Sequence, residues 1–409
     1  MSDLGFMDKL LDGAGVEWKP LREVAEYSPT RVDATELDAA SFVGVDNLVA
    51  DKGGRVDANY LPNTNRLTAY EPEDILLGNI RPYLKKVWMA TTAGGCSGDV
   101  LAVRILEQFK RIVEAKYLYY LLSSDEFFSY NMQHAKGAKM PRGNKAAILK
   151  YSIPIPCPSD PERSLEIQGE IVRILDTFTE LTAELTAELT AELTAREKQY
   201  NYYRDQLLSF EDGEVEWKPL DDVAHFTNGK GHEKDIHEDG KFVVVNSKFI
   251  STDGQVAKCS NKQLCPLYKD DILLVMSDLP NGKALSRTFF VDADDKYTLN
   301  QRICGIRPKD YEELLPKFLH YFLNRTPQLL KHDNGVDQTN LRKSQILEVK
   351  IPIASIAEQT RVVSILDKFD TFTRSISKGL RREIDLRQKQ YAYYRDLLLS
   401  FPKPEEAEA

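Results

Sequence analysis

Cysteine is scarce in this chain of 409 residues: there are five, Cys96, Cys157, Cys259, Cys265 and Cys304, odd in number and widely scattered. That usage excludes a secreted disulfide framework and leads us to expect a reducing cytoplasm. No apolar run approaches the roughly 18 residues that a membrane span needs, so no membrane role is expected. The start, Met1 to Asp12, carries acids at Asp3, Asp8 and Asp12 and lacks the basic, apolar and small-residue sections of a signal peptide. Positive charge is not in excess either. The formal net charge is -9, which sits awkwardly with a dedicated nucleic-acid binder.

Most catalytic signatures are missing as well. There is no phosphate loop of the Gly-x-x-x-x-Gly-Lys-Ser/Thr type, and Ala93 to Gly98 and Asn228 to Gly231 are only turn-like clusters. Without an Asn/Asp-Pro-Pro-Tyr/Phe motif, the chain is not expected to methylate by itself. His225, His232 and His237 precede Cys259 and Cys265 at spacings that fit no standard zinc pattern, so no metal is expected. Glu-x-Lys occurs at Glu17/Lys19, Glu216/Lys218 and Glu348/Lys350. A metal-dependent nuclease would use such an element, and this is the alternative reading. Two of the three, however, are one duplicated strand entry with Trp and Pro, and none has a placed upstream aspartate.

What the chain does have is aromatic residues, 17 Phe, 19 Tyr and 3 Trp, enough for a folded protein, and a repeat. Glu17-Trp18-Lys19-Pro20-Leu21 recurs as Glu216-Trp217-Lys218-Pro219-Leu220, Asp74-Ile75-Leu76-Leu77 as Asp271-Ile272-Leu273-Leu274, and Ile153-Pro154-Ile155 as Ile351-Pro352-Ile353. The match is strongest at the end of each copy. Gln168 to Phe210 lies on Gln359 to Phe401 at a constant offset of 191, with 21 of 43 positions identical. These stretches hold no proline and space apolar residues three or four apart, which predicts two long helices. Ser164 and Ser355 are the predicted N-caps, Glu358 completes a capping box, and Gly379 is a candidate bend. Between the helices, 14–153 and 211–351 read as mixed α/β, each with short strands, a helix near 114–132 or 312–331, and the Ile-Pro-Ile turn.

Thr182 to Leu193 is three tandem copies of Thr-Ala-Glu-Leu. A four-residue period advances about 400° on a helix, so Leu181, Leu185, Leu189 and Leu193 form a slowly slanting ridge. At offset 191 they fall on Phe372, Ile376, Leu380 and Ile384, all apolar. We therefore expect the two helices to bury matching stripes as an antiparallel pair related by a pseudo-twofold axis. A helix drifting by repeat slippage would carry such a run too. The functional reading is a ruler: one tetrad adds about 6 Å and about 40°, against about 3.4 Å and about 35° for one DNA base pair.

Phosphate contacts have two candidate locations. From Phe127 to Ser159 there is no acid, while Lys136, Lys139, Arg142, Lys145 and Lys150 cluster among glycine and proline in what reads as a flexible loop. The second copy offers Lys331, Gln338, Asn340, Arg342 and Lys343 at the same place, diluted by Asp333 and Asp337. Gln and Asn read adenine edges, and Arg and Lys read guanine edges. The tyrosines of Tyr200-x-Tyr202-Tyr203 and their copies are assigned to helix packing.

The order of module, Ile-Pro-Ile-Pro turn, long helix ending in Lys-Gln-Tyr-x-Tyr-Tyr-Arg-Asp-x-Leu-Leu-Ser-Phe, second module and second helix closely resembles the specificity subunit of type I restriction-modification systems. The Thr-Ala-Glu-Leu run resembles that of the type IC branch. The resemblance implies an α+β protein: two mixed α/β target recognition domains separated by two long antiparallel helices, with an internal pseudo-twofold repeat. The expected divisions are an N-terminal segment 1–13, a first recognition domain 14–153, a spacer helix 154–210, a second recognition domain 211–351, a second spacer helix 352–401 and an acidic tail 402–409. It also implies double-stranded DNA as ligand, read as a bipartite asymmetric site. The implied partners are two modification subunits using S-adenosylmethionine and restriction subunits using ATP and Mg²⁺, with no cofactor on this chain. A scaffold without DNA preference is the third possibility.

Overall fold

The computed structural model describes residues 4–211, 213–232, 234–279 and 284–402; beyond Pro402 the acidic tail lies outside the described residues, as do Met1 to Asp3. Two compact units emerge, one made of residues 1–189 and 382–409, the other of 190–381. Each unit thus holds one module, one end of the first long helix and one end of the second.

In the first unit the strands are β1 (Val16–Pro20), β2 (Ala25–Tyr27), β3 (Arg31–Asp33), β4 (Phe42–Val43), β5 (Arg66–Tyr70), β6 (Ile75–Gly78), β7 (Val87–Met89), β8 (Gly94–Cys96), β9 (Val100–Ile105) and β10 (Ser152–Pro156). β1 pairs with β10, setting Trp18 opposite Pro154, while β2-β9-β6-β7 and β3-β5-β8-β4 form two further sheets. The central sheet is covered on both faces. Ile75, Leu77, Leu101, Val103 and Ile105 enter one core, and Leu76, Val100 and Ala102 enter another. That division, one residue up and the next down, explains why these strands read as unbroken apolar runs.

The second unit repeats the arrangement. Its strands are β11 (Glu216–Pro219), β12 (Ala224–Asn228), β13 (Phe242–Val245), β14 (Lys258–Ser260), β15 (Ile272–Val275), β16 (Ser277–Asp278), β17 (Thr288–Phe290), β18 (Tyr297–Leu299), β19 (Ile303–Pro308), β20 (Thr339–Asn340) and β21 (Lys350–Ile353). β11 pairs with β21, and β12-β19-β15-β17 is the counterpart of the central sheet. Ile272 and Leu274 face one core, Leu273 and Val275 the other.

Each helix expected within a module is two. Ala115–Leu122 and Asp125–Gln133 are separated at Ser124, whose hydroxyl accepts from the Phe127 amide, and Pro316–Leu323 and Pro327–Leu330 are separated before Pro327. In both cases a residue that starts a helix well sits inside the predicted one.

The long helices are Pro161–Leu207 and Ile356–Leu398. Each docks on its own module through the same atoms. Asp176 accepts from Lys116 at 2.6 Å and from the Tyr120 hydroxyl at 2.6 Å; Asp367 does so from Lys317 and Tyr321 at the same distances. Gln168 and Gln359 likewise clasp the chain just before the module helix, accepting from the Glu114 and Leu315 amides. These contacts account for the duplicated Ile-Leu-Asp and glutamine positions.

Two capping expectations are corrected. Ser164 lies inside the first long helix and donates to the Ile112 carbonyl; Asp160 caps instead, accepting from the Arg163 amide, because Pro161 starts the helix earlier. Ser355 does accept from the Glu358 amide, but the Glu358 carboxylate pairs with Arg361, so no capping box closes. The second helix runs unbroken through Gly379.

Within each unit the helix ends lie antiparallel. In the first, Phe178 stacks on Tyr394 at 5.5 Å and the Thr179 hydroxyl meets that of Tyr391 at 2.9 Å; in the second, Tyr203 stacks on Phe369 at 5.8 Å and Glu197 pairs with Arg381. Leu185, Leu189, Leu193, Ile376, Leu380 and Ile384 are half-buried, whereas Leu181 is 56% and Phe372 63% exposed. The geometry explains the exception. Measured from Leu189, a helix residue at Leu181 has rotated by about 80° while Thr182 lies within about 20°, so half-buried Thr182 and Thr373 hold the seam in their place.

Candidate nucleic-acid interface

In the first unit, the segment read as a flexible loop is mostly ordered structure: helix to Gln133, a short helix Lys145–Ile148 capped by Asn144, then β10. The loop proper is a tight reversal. Lys136 and Arg142 exchange backbone hydrogen bonds at 2.9 and 2.8 Å around Gly137, whose φ of +100° suits glycine. Lys136, Lys139, Arg142 and Lys145 are all exposed. Arg142 also lies 3.3 Å from Asp99, a pair at the surface and hence readily exchanged for another anion.

The reversal is tied to the central sheet. Ile80 bridges Arg142, the Arg81 amide donates to the Pro141 carbonyl at 2.7 Å, and the Gly143 amide donates to Asn79 at 3.0 Å. A Cβ at Gly143 would come within 2.7 Å of the side chains of Asn79 and Asn131, so only glycine lets the backbone pass there. In the second unit the same ladder is a regular pair: Ser277 faces Asn340, Asp278 faces Thr339, and the Leu341 amide donates to Met276 at 2.7 Å.

The second loop carries less free charge. Lys331, Gln338, Asn340, Arg342 and Lys343 are exposed. Gln338 donates to the Ser277 hydroxyl at 2.9 Å, however, and the Lys343 ammonium lies 5.2 Å from the Phe226 ring. Asp333 is a structural cap, accepting from the Gly335 amide and the Thr339 hydroxyl. Each unit therefore carries its own predicted contacts in the loop at the end of its central sheet and at the start of the short helix that follows it.

Sequence reading missed the wall facing the first loop. A cavity of about 600 Å³ opens beside it, lined among others by Phe42, Tyr60, Leu61, Arg81, Lys86 and Met140. These residues come from segments far apart in the chain. The available signal was Ile80-Arg81-Pro82-Tyr83 directly after an apolar strand, a place where loops carry function.

The other candidate chemistry does not assemble. Lys19 pairs with Glu17 at 2.6 Å, and Lys218 lies 3.6 Å from Glu216 and 2.5 Å from Glu313, so these two Glu-x-Lys elements serve as surface ion pairs on the strands beside β10 and β21. His232 is buried and bonded to the Thr298 hydroxyl. Among the described residues no group of three His, Cys, Asp or Glu has metal-holding geometry, and no helix is long and apolar enough to cross a membrane.

Known proteins place this architecture. The profile of the type I restriction modification DNA specificity domain matches residues 101–195 and 213–386. The specificity subunit of the type I restriction enzyme EcoR124I/EcoR124II of Escherichia coli is 37% identical, over 99% of this chain and 99% of its own. A putative type I specificity subunit of Haemophilus influenzae is 31% identical over 97% and 98%. A chain from a solved structure on complex assembly and conformational transition of the type I restriction-modification system superposes with a TM-score of 0.68 at 17% identity, covering 94% of this chain and 97% of that one. The chain belongs to the type I restriction-modification specificity family and is a non-catalytic, DNA-recognising specificity subunit.

Proposed function

We propose that the chain reads a bipartite, asymmetric duplex, one half-site per module, and thereby directs adenine methylation and ATP-dependent cleavage by its partners. The partners in this reading are two modification subunits, which carry S-adenosylmethionine, and restriction subunits, which use ATP and Mg²⁺, all in the cytoplasm. In this reading the recognition domains are 14–153 and 211–351 and the spacer helices 154–210 and 352–401, and the Thr-Ala-Glu-Leu run supports the type IC-like branch. The observation that carries this is one frame bearing two different edges: the same helix-docking atoms in both units, with Lys136-to-Arg142 chemistry in one loop and Gln338-to-Lys343 chemistry in the other.

Mapping methylated adenines in a host with the complete system tests it. Exchanging 14–153 for another module changes one half-site only; changes in both overturn the modular reading. Deleting Thr190 to Leu193 shortens the unread spacer, and an unchanged spacer rejects the ruler. Replacing Lys139, Arg142 and Lys145 by Ala flattens the salt dependence of binding, by up to about 0.9 in slope for each phosphate that is no longer neutralised. An unchanged slope moves the phosphate-binding surface elsewhere.

A further inference from the structure

Arg81 stands on the cavity wall of the first unit in the left-handed region, with φ 51° and ψ 64°. A non-glycine residue adopts that conformation only when its surroundings hold it there. Two backbone bonds do so, from its amide to Pro141 and from the Leu84 amide to its carbonyl. The side chain is exposed, and its guanidinium has no hydrogen-bond or ion-pair partner among the described residues. The other charged side chains of the wall are already engaged: Asp46 accepts from the Tyr60 hydroxyl, Asp99 from Arg142, and Lys86 donates to the Val45 carbonyl. Lys85, the other left-handed cation of this turn, is held by Asp125.

We propose that Arg81 is a specificity-determining residue of the first unit, reading the O6/N7 edge of a guanine. The warrant is preorganisation. A planar fork on a fixed backbone suits bidentate recognition of guanine, whereas the exposed lysines of the neighbouring loop suit phosphates. Exposed Leu61 and Met140, 59% and 50% accessible, flank it with the apolar surface that meets a thymine methyl. Because the Arg81 amide is bonded to the loop, the phosphate contacts and the base reader share one frame. At the matching position of the second unit stands Asp278, whose carboxylate is consumed by the Leu279, Ala284 and Leu285 amides. The assignment is therefore to the first half-site alone.

The inference rests on the function proposed above. With the target of the wild-type complex mapped by adenine methylation, duplexes changed at each position compete for the assembled complex carrying Arg81→Ala or Arg81→Lys. Arg81→Ala loses discrimination at one G·C pair of the first half-site by about 5- to 150-fold, with the other half-site unaltered as the internal check on folding. Arg81→Lys restores only part of it. A uniform loss on every duplex with a shallower salt slope assigns Arg81 to a phosphate and overturns the inference, as does unchanged selectivity. A wild-type complex without any sequence preference overturns the parent reading as well.

Discussion

The two units share a skeleton and differ at its ends. Asp176 and Asp367 anchor the long helices in the same way, and the paired ions Arg104–Asp74 and Arg307–Asp271 occupy the same corner of each central sheet. Yet Tyr119 of the first unit is matched by His320, Asp125 by Thr326, and Arg81 by Asp278. The buried frame tolerates little change because its groups satisfy one another. The edges are solvated, so divergence there leaves the fold intact.

The largest difference to test lies where the helix ends enter the cores. Phe401, buried and edge-on to Tyr117 at 6.2 Å, completes the first core, and half-buried Phe210 meets Phe318 in the second. Phe401→Ala should destabilise the first unit by about 3–5 kcal/mol and Phe210→Ala the second by less. Hydrogen exchange resolved by unit reads both, and equal effects would contradict the asymmetry.

His320 comes next. Burial first, then Arg374 and Lys317, push its pKa down from 6.5 to about 3, against an opposing pull from Asp367, and its Nδ1 has no hydrogen-bond partner among the described residues. The unfolded chain takes up a proton before the folded one does. The stabilising contribution is thus complete above about pH 6.5 and lost as pH falls toward 3, on the order of a few kcal/mol. Acid should loosen the second unit ahead of the first, and His320→Tyr should remove that difference in urea midpoints measured from pH 7 to pH 4.

Asp125 is a smaller, unit-specific contact. It joins Lys52 at 3.0 Å, Lys85 at 2.8 Å and Arg395 at 2.9 Å. Burial raises its pKa, but the three cations outweigh burial and hold the carboxyl well below its ordinary value. Since Asp125 is 38% exposed, solvent screening limits Asp125→Ala to about 1–2 kcal/mol. Thermal melts of Asp125→Ala and Thr326→Ala should separate the units, only the former losing the ion cluster. Smallest of all, Leu181→Ala should change stability by less than about 0.5 kcal/mol. Half-buried Leu189→Ala should lose more, and the reverse order would displace the seam.

How much of this was legible follows from where each signal resides. The repeat, the long helices, the strands beginning at Phe42, Ile75 and Val100 and the basic loop are local, and so stood in the sequence. The leucine ridge was legible as a pattern but misplaced at one end of each helix, at Leu181 and Phe372, because a four-residue repeat drifts across a seam that follows a shorter period. Asp160 displaced Ser164 as cap because Pro161 starts the helix one turn earlier, which leaves the serine hydroxyl free for a tertiary bond to the Ile112 carbonyl. Of the wall carrying Arg81 only Ile80-Arg81-Pro82-Tyr83 left a local signal; its other residues come from segments far apart in the chain.

Duplication by itself determined two like units, each a module with its helix ends. Periodicity and identity at a fixed offset are properties of neighbours along the chain, so sequence carries them. Tertiary structure alone decided that Arg81 stands beside Pro141, its guanidinium without a partner among the described residues, while Asp278 faces Thr339 at the same place in the second unit. That depends on which backbone segments meet across some sixty residues of chain, and on whether the charges already there find one another first.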